Sequence, residues 1–259
     1  MSVFDDPAFF GEVWADLYDE GVDLDPAPAV EFLAETAGGG RVLELAIGTG
    51  RVGVPLAARG VHVEGVEGSR KMVAKMRAKP GGEHIPVTIG DMADVPVEGP
   101  YRLVFLVYNT LFNILDPDRQ ALLFANVARV LSDDGAFVVE CYVPDPSRFD
   151  QGRGAGKGRV EALEVTEDSA TIEVYSFDAA AQRFLSQKIT FGADGVRLRP
   201  HAERFCRPEE MDTMAEQAGL VLSERYQDWG RAPFGPHSAG HVSVYRPAPA
   251  PREQSGGSA

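Results

Sequence analysis

The chain has 259 residues, 44% of them hydrophobic, enough for one large domain or two small ones around a sizeable core. With 25 Lys and Arg against 39 Asp and Glu its net charge is −14, which argues against nucleic acid as a partner, because that affinity rests on neutralising phosphates. Two cysteines, Cys141 and Cys206, are too few for a disulfide framework, the N-terminus lacks a basic-then-apolar leader, and no apolar run nears the roughly 18–20 residues of a membrane span; a cytoplasmic chain with no membrane partner is expected.

Within Phe9 to Asp19, the residues Phe10, Val13, Trp14, Leu17 and Tyr18 recur at helical spacing. A second helix is predicted from Pro28, a favourable first-turn residue, to Thr36, ended by Gly38-Gly39-Gly40. Residues 1–40 therefore read as an N-terminal helical cap. Trp14 and Tyr18 serve either as core packing or as a lid over a ligand.

Arg41 to Gly53, RVLELAIGTGRVG, reads as a buried strand running into a glycine-rich turn and a helix from Arg51 to Arg59. Glycines let the backbone approach a ligand, and the helix N-terminus offers unpaired N–H groups and a positive dipole end. Gly48, Gly50 and Gly53 spell G-x-G-x-x-G, the dinucleotide fingerprint. Two details pull away from it. Glu44 brings a carboxylate beside the turn, which suits an ammonium and repels a pyrophosphate, and beyond Arg51 no basic group stands ready for two phosphates.

The second strand, Val61 to Val66, ends at Glu67, about twenty residues after the turn, where an acid can bind a ribose diol. The plainer alternative is a solvated strand end. Ser69 is the predicted N-cap of the next helix. The third strand, Ile85 to Ile89, is followed by Gly90-Asp91-Met92, where Asp91 can accept from an adenine amine and Met92 can pack on the ring. Glu44, Glu67 and Asp91 thus fall near the ends of three successive strands, and in a parallel sheet those ends share one edge.

A fourth strand, Tyr101 to Val107, runs into Tyr108-Asn109-Thr110-Leu111-Phe112-Asn113. The polar groups there need partners; they either face a ligand or cap a helix. A helix follows from Pro117 to Leu131 with Asp116 as N-cap, then strand five, Ala136 to Val143, with Glu140 and Tyr142 on one face and Pro144-Asp145-Pro146 as its stop. After Asp150 the composition changes. Gly152 to Gly158 (GRGAGKG) is predicted flexible and is not a phosphate loop, since Gly158 stands where Ser or Thr is needed.

Four β-like runs, Val160–Thr166, Ala170–Phe177, Arg183–Phe191 and Val196–Phe205, with short turns between them, predict an antiparallel sheet inserted at 151–206. It could roof an active site or make a dimer contact. Pro208 to Gly219 is an amphipathic helix, and Leu220–Trp229 with His241–Tyr245 form a closing hairpin, so that 207–246 complete the core sheet begun by 41–150. Pro247 to Ala259 reads as a disordered tail.

The run E-x-A-x-G-x-G from Glu44 to Gly50 resembles the first motif of the class I S-adenosylmethionine (SAM) dependent methyltransferases, usually (D/E)-x-G-x-G-x-G, with Ala46 replacing the first glycine. Val66-Glu67-Gly68-Ser69 followed by Met72 is similar to the family's V-(D/E)-x-S-x-x-M run, and Tyr18-Asp19 to a pair found near the cofactor in many of its small-molecule members. The closing hairpin resembles the family's antiparallel last strand. The resemblance spans roughly Val42 to Val143 plus that hairpin.

It implies an α/β fold: a Rossmann-like seven-stranded mostly parallel sheet with an antiparallel last strand, helices on both faces, and an inserted antiparallel β-sheet after strand 5. It implies SAM as cofactor, held by Tyr18, Glu44, Ala46, Gly48, Gly50, Arg51, Glu67, Gly68, Met72, Asp91, Met92, Val107 and Asn109. The expected activity is methyl transfer to a small organic acceptor such as a secondary metabolite. For such an in-line displacement alignment can supply up to ~7–11 kcal/mol, and a general base, needed only for a protonated acceptor, ~10²–10⁴-fold.

Catalytic candidates are Tyr108, Glu140, His201 and His241, with Glu203 and His237 as further possible bases. Trp14, Tyr18, Tyr108, Phe112, Tyr142, Trp229 and Phe234 are expected to ring the site. No metal-ligand spacing stands out, and the two cysteines read as packing residues. A monomer, or a homodimer through the inserted sheet, is expected. A nicotinamide-dependent oxidoreductase and a SAM-binding sensor without turnover remain alternatives.

Overall fold

A computed structural model describes residues 2–20, 25–145 and 158–249. Five parallel strands build the centre: β1 (Val42–Leu45), β2 (Val63–Glu67), β3 (Val87–Ile89), β4 (Tyr101–Leu106) and β5 (Leu131–Tyr142). β10 (Leu220–Tyr226) and β11 (Gly240–Pro247) add an antiparallel hairpin, giving the order β10-β11-β5-β4-β1-β2-β3. A second sheet, β6 (Arg159–Val165), β7 (Ala170–Asp178), β8 (Arg183–Gly192) and β9 (Gly195–Arg204), is an antiparallel meander inserted after β5. This is the expected architecture.

Strands buried on both faces read as near-continuous apolar runs, and alternate side chains serve opposite layers. Leu43, Val104, Phe137 and Val139 point into one core, filled by Leu123, Phe124 and Val127 of α5 (Pro117–Val130) and Met211 of α6 (Pro208–Gln217). Val42, Leu103, Phe105, Ala136 and Val138 point into the other, filled by α2 (Ala27–Ala37), α3 (Gly53–Ala58) and α4 (Arg70–Arg77). β2 lies on one side of β1 and β4 on the other, so the chain reverses its direction of travel at the tip of β1, where open α/β sheets bind ligands.

Several boundaries shift for local reasons. The helix after the glycine turn begins at Gly53, not Arg51, because Gly50 has φ +73° and the chain is still turning. The first helix, α1 (Phe9–Trp14), stops early. The turns that follow carry Asp19 to the glycine turn, where it accepts a 2.7 Å hydrogen bond from Thr49 Oγ1 and pairs with Lys79 at 2.9 Å. β5 starts five residues before the expected Ala136 because Leu131 pairs with Tyr101 around an irregularity. The closing strand stops at Tyr226, and Trp229 lies beyond it against Phe32. The predicted flexible stretch, apart from Gly158, and the predicted tail, apart from Pro247 to Pro249, lie outside the described residues.

The small sheet is anchored over the carboxyl edge of the large one. Arg204, at the end of β9 and 7% exposed, donates to Gln120 of α5 and Glu210 of α6. Gln120 Nε2 in turn donates to the Arg204 carbonyl at 2.9 Å. On the other side Trp14 Nε1 donates to the Pro200 carbonyl at 3.3 Å. β9 is thereby held between α1 and the Thr110–Asn113 turn.

Candidate functional site

At the tip of β1 the backbone turns through left-handed conformations at Ala46, Gly48 and Gly50. The Gly48 N–H donates at 2.8 Å to Glu67 Oε2, and the Ser69 N–H donates at 2.8 Å to Oε1. One carboxylate, the last residue of β2, therefore ties two strand tips together. Burial raises the Glu67 pKa while the N–H groups of Ser69, Gly48 and Gly68 pull against it. Each oxygen keeps a lone pair for another donor.

Beyond this floor lies a cavity of about 650 Å³, within the roughly 300–1,000 Å³ typical of ligand sites. Ala46, Gly48, Glu67 and Gly68 form its base, and Met72, Asp91 and Met92 one wall. Phe4 to Phe10 with Tyr18 form a second. Thr110, Asn113, Ile114 and Arg119 form a third, and Pro200, His201 and Ala202 of β9 the roof. Asp91 is fixed twice: Oδ1 accepts from the Ala93 N–H at 2.8 Å and Oδ2 from Arg119 Nη2 at 2.7 Å. Arg119 also reaches Asp94 at 3.1 Å.

Of the residues expected to meet a ligand, Tyr18, Ala46, Gly48, Glu67, Gly68, Met72, Asp91, Met92 and His201 line this cavity. The others do not. Glu44 is 4% exposed and lies beneath the turn. Burial pushes its carboxyl well above the usual range, with the Gly53 N–H opposing and Glu67 adding to the rise, and Oε2 has no hydrogen-bond partner. The glycine spacing has a packing origin: a Cβ on Gly53 would meet Glu44 Oε2 at 2.5 Å, and one on Gly50 would meet Met76 and Val54 at 2.6 Å. Only Gly48 of the three faces the cavity. The Arg51 guanidinium sits 4.4 Å over the Tyr18 ring and 5.3 Å from that of Tyr108, and donates to the Tyr18 carbonyl.

The polar groups after β4 serve their own backbone. Tyr108 and Asn109 both have positive φ, 57° and 59°, a costly state for non-glycine residues, of order 1–3 kcal/mol each. Glu140 Oε2 accepts the Tyr108 N–H at 2.6 Å, and Asn109 Oδ1 accepts the Tyr142 N–H at 2.6 Å. Tyr108, Glu140 and Asn109 thus lock a corner and do not line the cavity, and Val107 is buried in the core beneath it. His241 is also placed elsewhere: on β11 opposite Cys141, 1% exposed, with Nδ1 2.8 Å from Ser243 Oγ and a pKa lowered by burial to about 4. His237 is exposed. Trp229 packs on Phe32, and Phe234 against His241 and Arg225, so neither rings the site. Phe112 is buried edge-on against Tyr142.

His201 stands apart from these. Its ring meets Phe10 and Trp14 at centroid distances of 5.7 and 6.5 Å. Burial lowers its pKa below 6.5, which favours the neutral imidazole. Nε2 lies 3.2 Å from Glu203 Oε1 without the alignment of a hydrogen bond, and Glu203 Oε2 accepts from Tyr142 Oη at 2.8 Å. Among the described residues no group of three His, Cys, Asp or Glu is arranged to hold a metal ion, and no helix is long and apolar enough to cross a membrane.

Two elements of the site had no sequence motif: the wall from Phe4 to Phe10, and Arg119. The signal for the first is glycine at unexpected places. A Cβ on Gly68 would meet the Pro7 carbonyl oxygen at 2.1 Å, and one on Gly11 would meet Ser69 Cβ at 2.3 Å. The two segments pack this closely only because both residues lack side chains.

Comparison with known proteins agrees with the fold. The family described as "Methyltransferase domain" matches residues 42–135. The chain is 26% identical over 223 residues to the cypemycin N-terminal methyltransferase of a Streptomyces species, covering 84% of this chain and 89% of that one. The CcbJ methyltransferase structure from Streptomyces caelestis superposes with a TM-score of 0.84 at 36% identity, covering 94% of this chain and all of that one. The sugar N-methyltransferase KedS8 from Streptoalloteichus sp ATCC 53650 shares the fold at a TM-score of 0.64 and 21% identity, over 90% of this chain and 92% of that one.

Gly68→Ala is expected to push the N-terminal wall off the β2 tip, because the clash is with backbone, at a cost of about 1–3 kcal/mol. Limited proteolysis should then cut within residues 4–14 faster than in the parent chain. Unchanged cleavage would show that the wall does not rest on Gly68.

Proposed function

The chain belongs to the class I SAM-dependent methyltransferases, and on that premise we propose that it methylates an amine nitrogen of a small organic acceptor. The observation that carries the nitrogen is the His201 imidazole, whose pKa burial lowers, in a cavity whose rim is otherwise acidic: Asp5, Asp6, Asp94 and Asp116 line it alongside Glu67 and Asp91, against Arg119 alone. Amines are protonated at neutral pH, so the acidic rim favours their capture, and a base must remove a proton before the nitrogen can attack. The name of the cypemycin relative, which specifies an N-terminus, supports the same reading.

The cavity suits SAM on its own geometry. Gly48 opens onto it with nothing nearer than 3.8 Å to a Cβ placed there, so a side chain would occupy the space a ligand would use. When bound, SAM supplies an electrophilic methyl on a sulfonium sulfur. Glu67 would accept from the ribose hydroxyls with its free lone pairs. Asp91, steadied by Arg119, would accept from the adenine amine, while Met72 and Met92 supply apolar walls. His201 would take the proton from the acceptor ammonium, with Glu203 stabilising the imidazolium. Phe10 and the rest of the N-terminal wall would keep water out.

A mass-spectrometric screen tests the reading: the enzyme with methyl-labelled SAM and matched panels of small amines, alcohols and carboxylic acids. Gain of one methyl among the amines is the expected result; methylation confined to oxygen acceptors would overturn it, and binding without turnover on any panel would favour a sensor.

His201→Gln is expected to lower kcat by ~10²–10⁴-fold while the SAM Kd stays within the error of the measurement. Because burial favours the neutral ring, the base is present at pH 7 and is lost as pH falls through a value below 6.5. The parent enzyme should show that acid limb in kcat and the variant should lack it. An unchanged limb would remove His201 from the reaction.

Glu67→Ala should weaken SAM binding by about 1.5–3 kcal/mol, roughly ten- to a hundredfold in Kd by calorimetry. Affinity equal to the parent's would mean the sugar is held elsewhere.

A further inference from the structure

A phenol of the large sheet reaches the small sheet one residue pair away from His201. Tyr142 Oη, at the end of β5, donates at 2.8 Å to Glu203 Oε2 on β9. The other oxygen of that carboxylate, Oε1, lies 3.2 Å from His201 Nε2. Phenol, carboxylate and imidazole stand in a row, with the carboxylate in the middle.

Both outer contacts of this row are fixed. The Tyr142 N–H donates at 2.6 Å to Asn109 Oδ1, and the Tyr142 ring meets the buried Phe112 edge-on at 4.9 Å. Glu203 is followed by Arg204, which donates to Gln120 and Glu210. The hydroxyl therefore has one direction, and the carboxylate it meets is held from the other side.

Burial pushes the Tyr142 pKa well above that of a free phenol, and Glu203 adds to the rise, so the hydroxyl stays a donor. Burial also raises the Glu203 pKa; the Tyr142 hydrogen bond pulls it down, and Glu173 of β7 adds to the rise. The hydroxyl thus opposes burial in keeping Glu203 ionised. An ionised carboxylate beside the ring favours the imidazolium, and a neutral carboxyl does not.

The other neighbours act differently. Phe184 lies across from Glu203 on β8, and Ser186 and then Tyr175 lie across from His201. α1 faces His201 with the rings of Phe10 and Trp14. The next row on this face carries Arg199, Lys188 and Glu173, and its two cations oppose an imidazolium. Cys141 and Cys206 are thiols whose pKa burial raises.

Resting on the reading of His201 as the base, we propose that Tyr142 is a positioning residue for the reaction: its hydroxyl holds Glu203 as a carboxylate against His201, so that the ring can take the acceptor's proton. The ammonium N–H bond breaks, the proton goes to the ring, and the electron pair stays on the nitrogen for the attack. Glu203 remains ionised beside the new imidazolium, and Tyr142 gives up no proton.

NMR titration of the histidines in the full chain tests this, with His201 assigned by its loss in His201→Gln. Tyr142→Phe removes the hydroxyl alone and should move the His201 titration to lower pH. Glu203→Gln should move it at least as far, and Tyr142→Phe added to Glu203→Gln should move it no further. In Tyr142→Phe, kcat at pH 7 should fall on the order of tenfold, less than in His201→Gln. Its acid limb should shift to lower pH while the KM for SAM stays within error of the parent's. A His201 titration unchanged by Tyr142→Phe overturns the proposal whatever happens to the melting temperature, because a bond that merely joins the sheets would lower stability and leave the ring alone. Further displacement in the Glu203→Gln background overturns the route through Glu203. A displaced titration with an unmoved acid limb in kcat upholds the coupling and removes instead the assignment of His201 as the base.

Discussion

The site depends on one carboxylate placed where two strand tips converge. Glu67 accepts the N–H groups of Gly48 and Ser69, each at 2.8 Å, and so fixes the β1 turn relative to the start of α4. Without a second acceptor in reach, a buried N–H at Gly48 would be left unpaired, at a cost of about 1–3 kcal/mol. The adjacent residue completes the arrangement. Gly68 leaves room for the Pro7 carbonyl, whose oxygen lies 2.1 Å from where a Cβ would stand, and Ser69 Oγ donates to Glu12 at 2.9 Å. The same three residues that shape the floor of the cavity also seat its N-terminal wall.

The other half of the cavity is built on strain that neighbours hold in place. Two consecutive left-handed residues, Tyr108 and Asn109, direct the chain from β4 into the Thr110–Asn113 turn. Glu140 and Asn109 each satisfy one N–H at that corner. The turn then presents Thr110 and Asn113 to the cavity, and β9 rests against it. Burial raises the Glu140 pKa, with the Tyr108 N–H opposing. A group so engaged is suited to holding the corner and poorly suited to exchanging protons with a ligand.

The fold was legible because its determinants are local and periodic. Alternation across β1, β4 and β5, caps at Ser69 and Asp116, and even spacing of the four inserted strands all agree with one architecture, and agreement across levels is what makes a sequence readable. The base of the cavity was legible for the same reason, since Gly48, Glu67 and Asp91 lie at strand tips whose position topology dictates. Which polar side chains stay free was not legible. Glu44, Asn109, Glu140 and His241 all have the right chemistry, but Glu44 is set beneath a buried turn, Asn109 and Glu140 are taken by backbone N–H groups, and His241 is buried beside Ser243 on its own strand. Likewise Arg119 and the Phe4–Phe10 wall come from contacts between segments far apart in the chain.

The acidity of the rim fits the electrostatics of the proposed reaction. A sulfonium donor and an ammonium acceptor are both cations, and two unit charges 4 Å apart repel by ~4 kcal/mol at an effective dielectric of 20. Acids around the cavity offset that repulsion while the acceptor enters. They would hinder the next event, loss of a proton, because a negative surround holds an ammonium in its charged form. A base in the roof, away from the acids of the floor, resolves the conflict. His201 sits among Phe10 and Trp14, where burial lowers its pKa and favours the neutral ring, and in the proposed reaction Glu203 behind it would become a favourable neighbour only after the ring had taken the proton. In the proposed reaction capture of a cation would thus be separated from its neutralisation, with carboxylates serving the first and a desolvated imidazole the second.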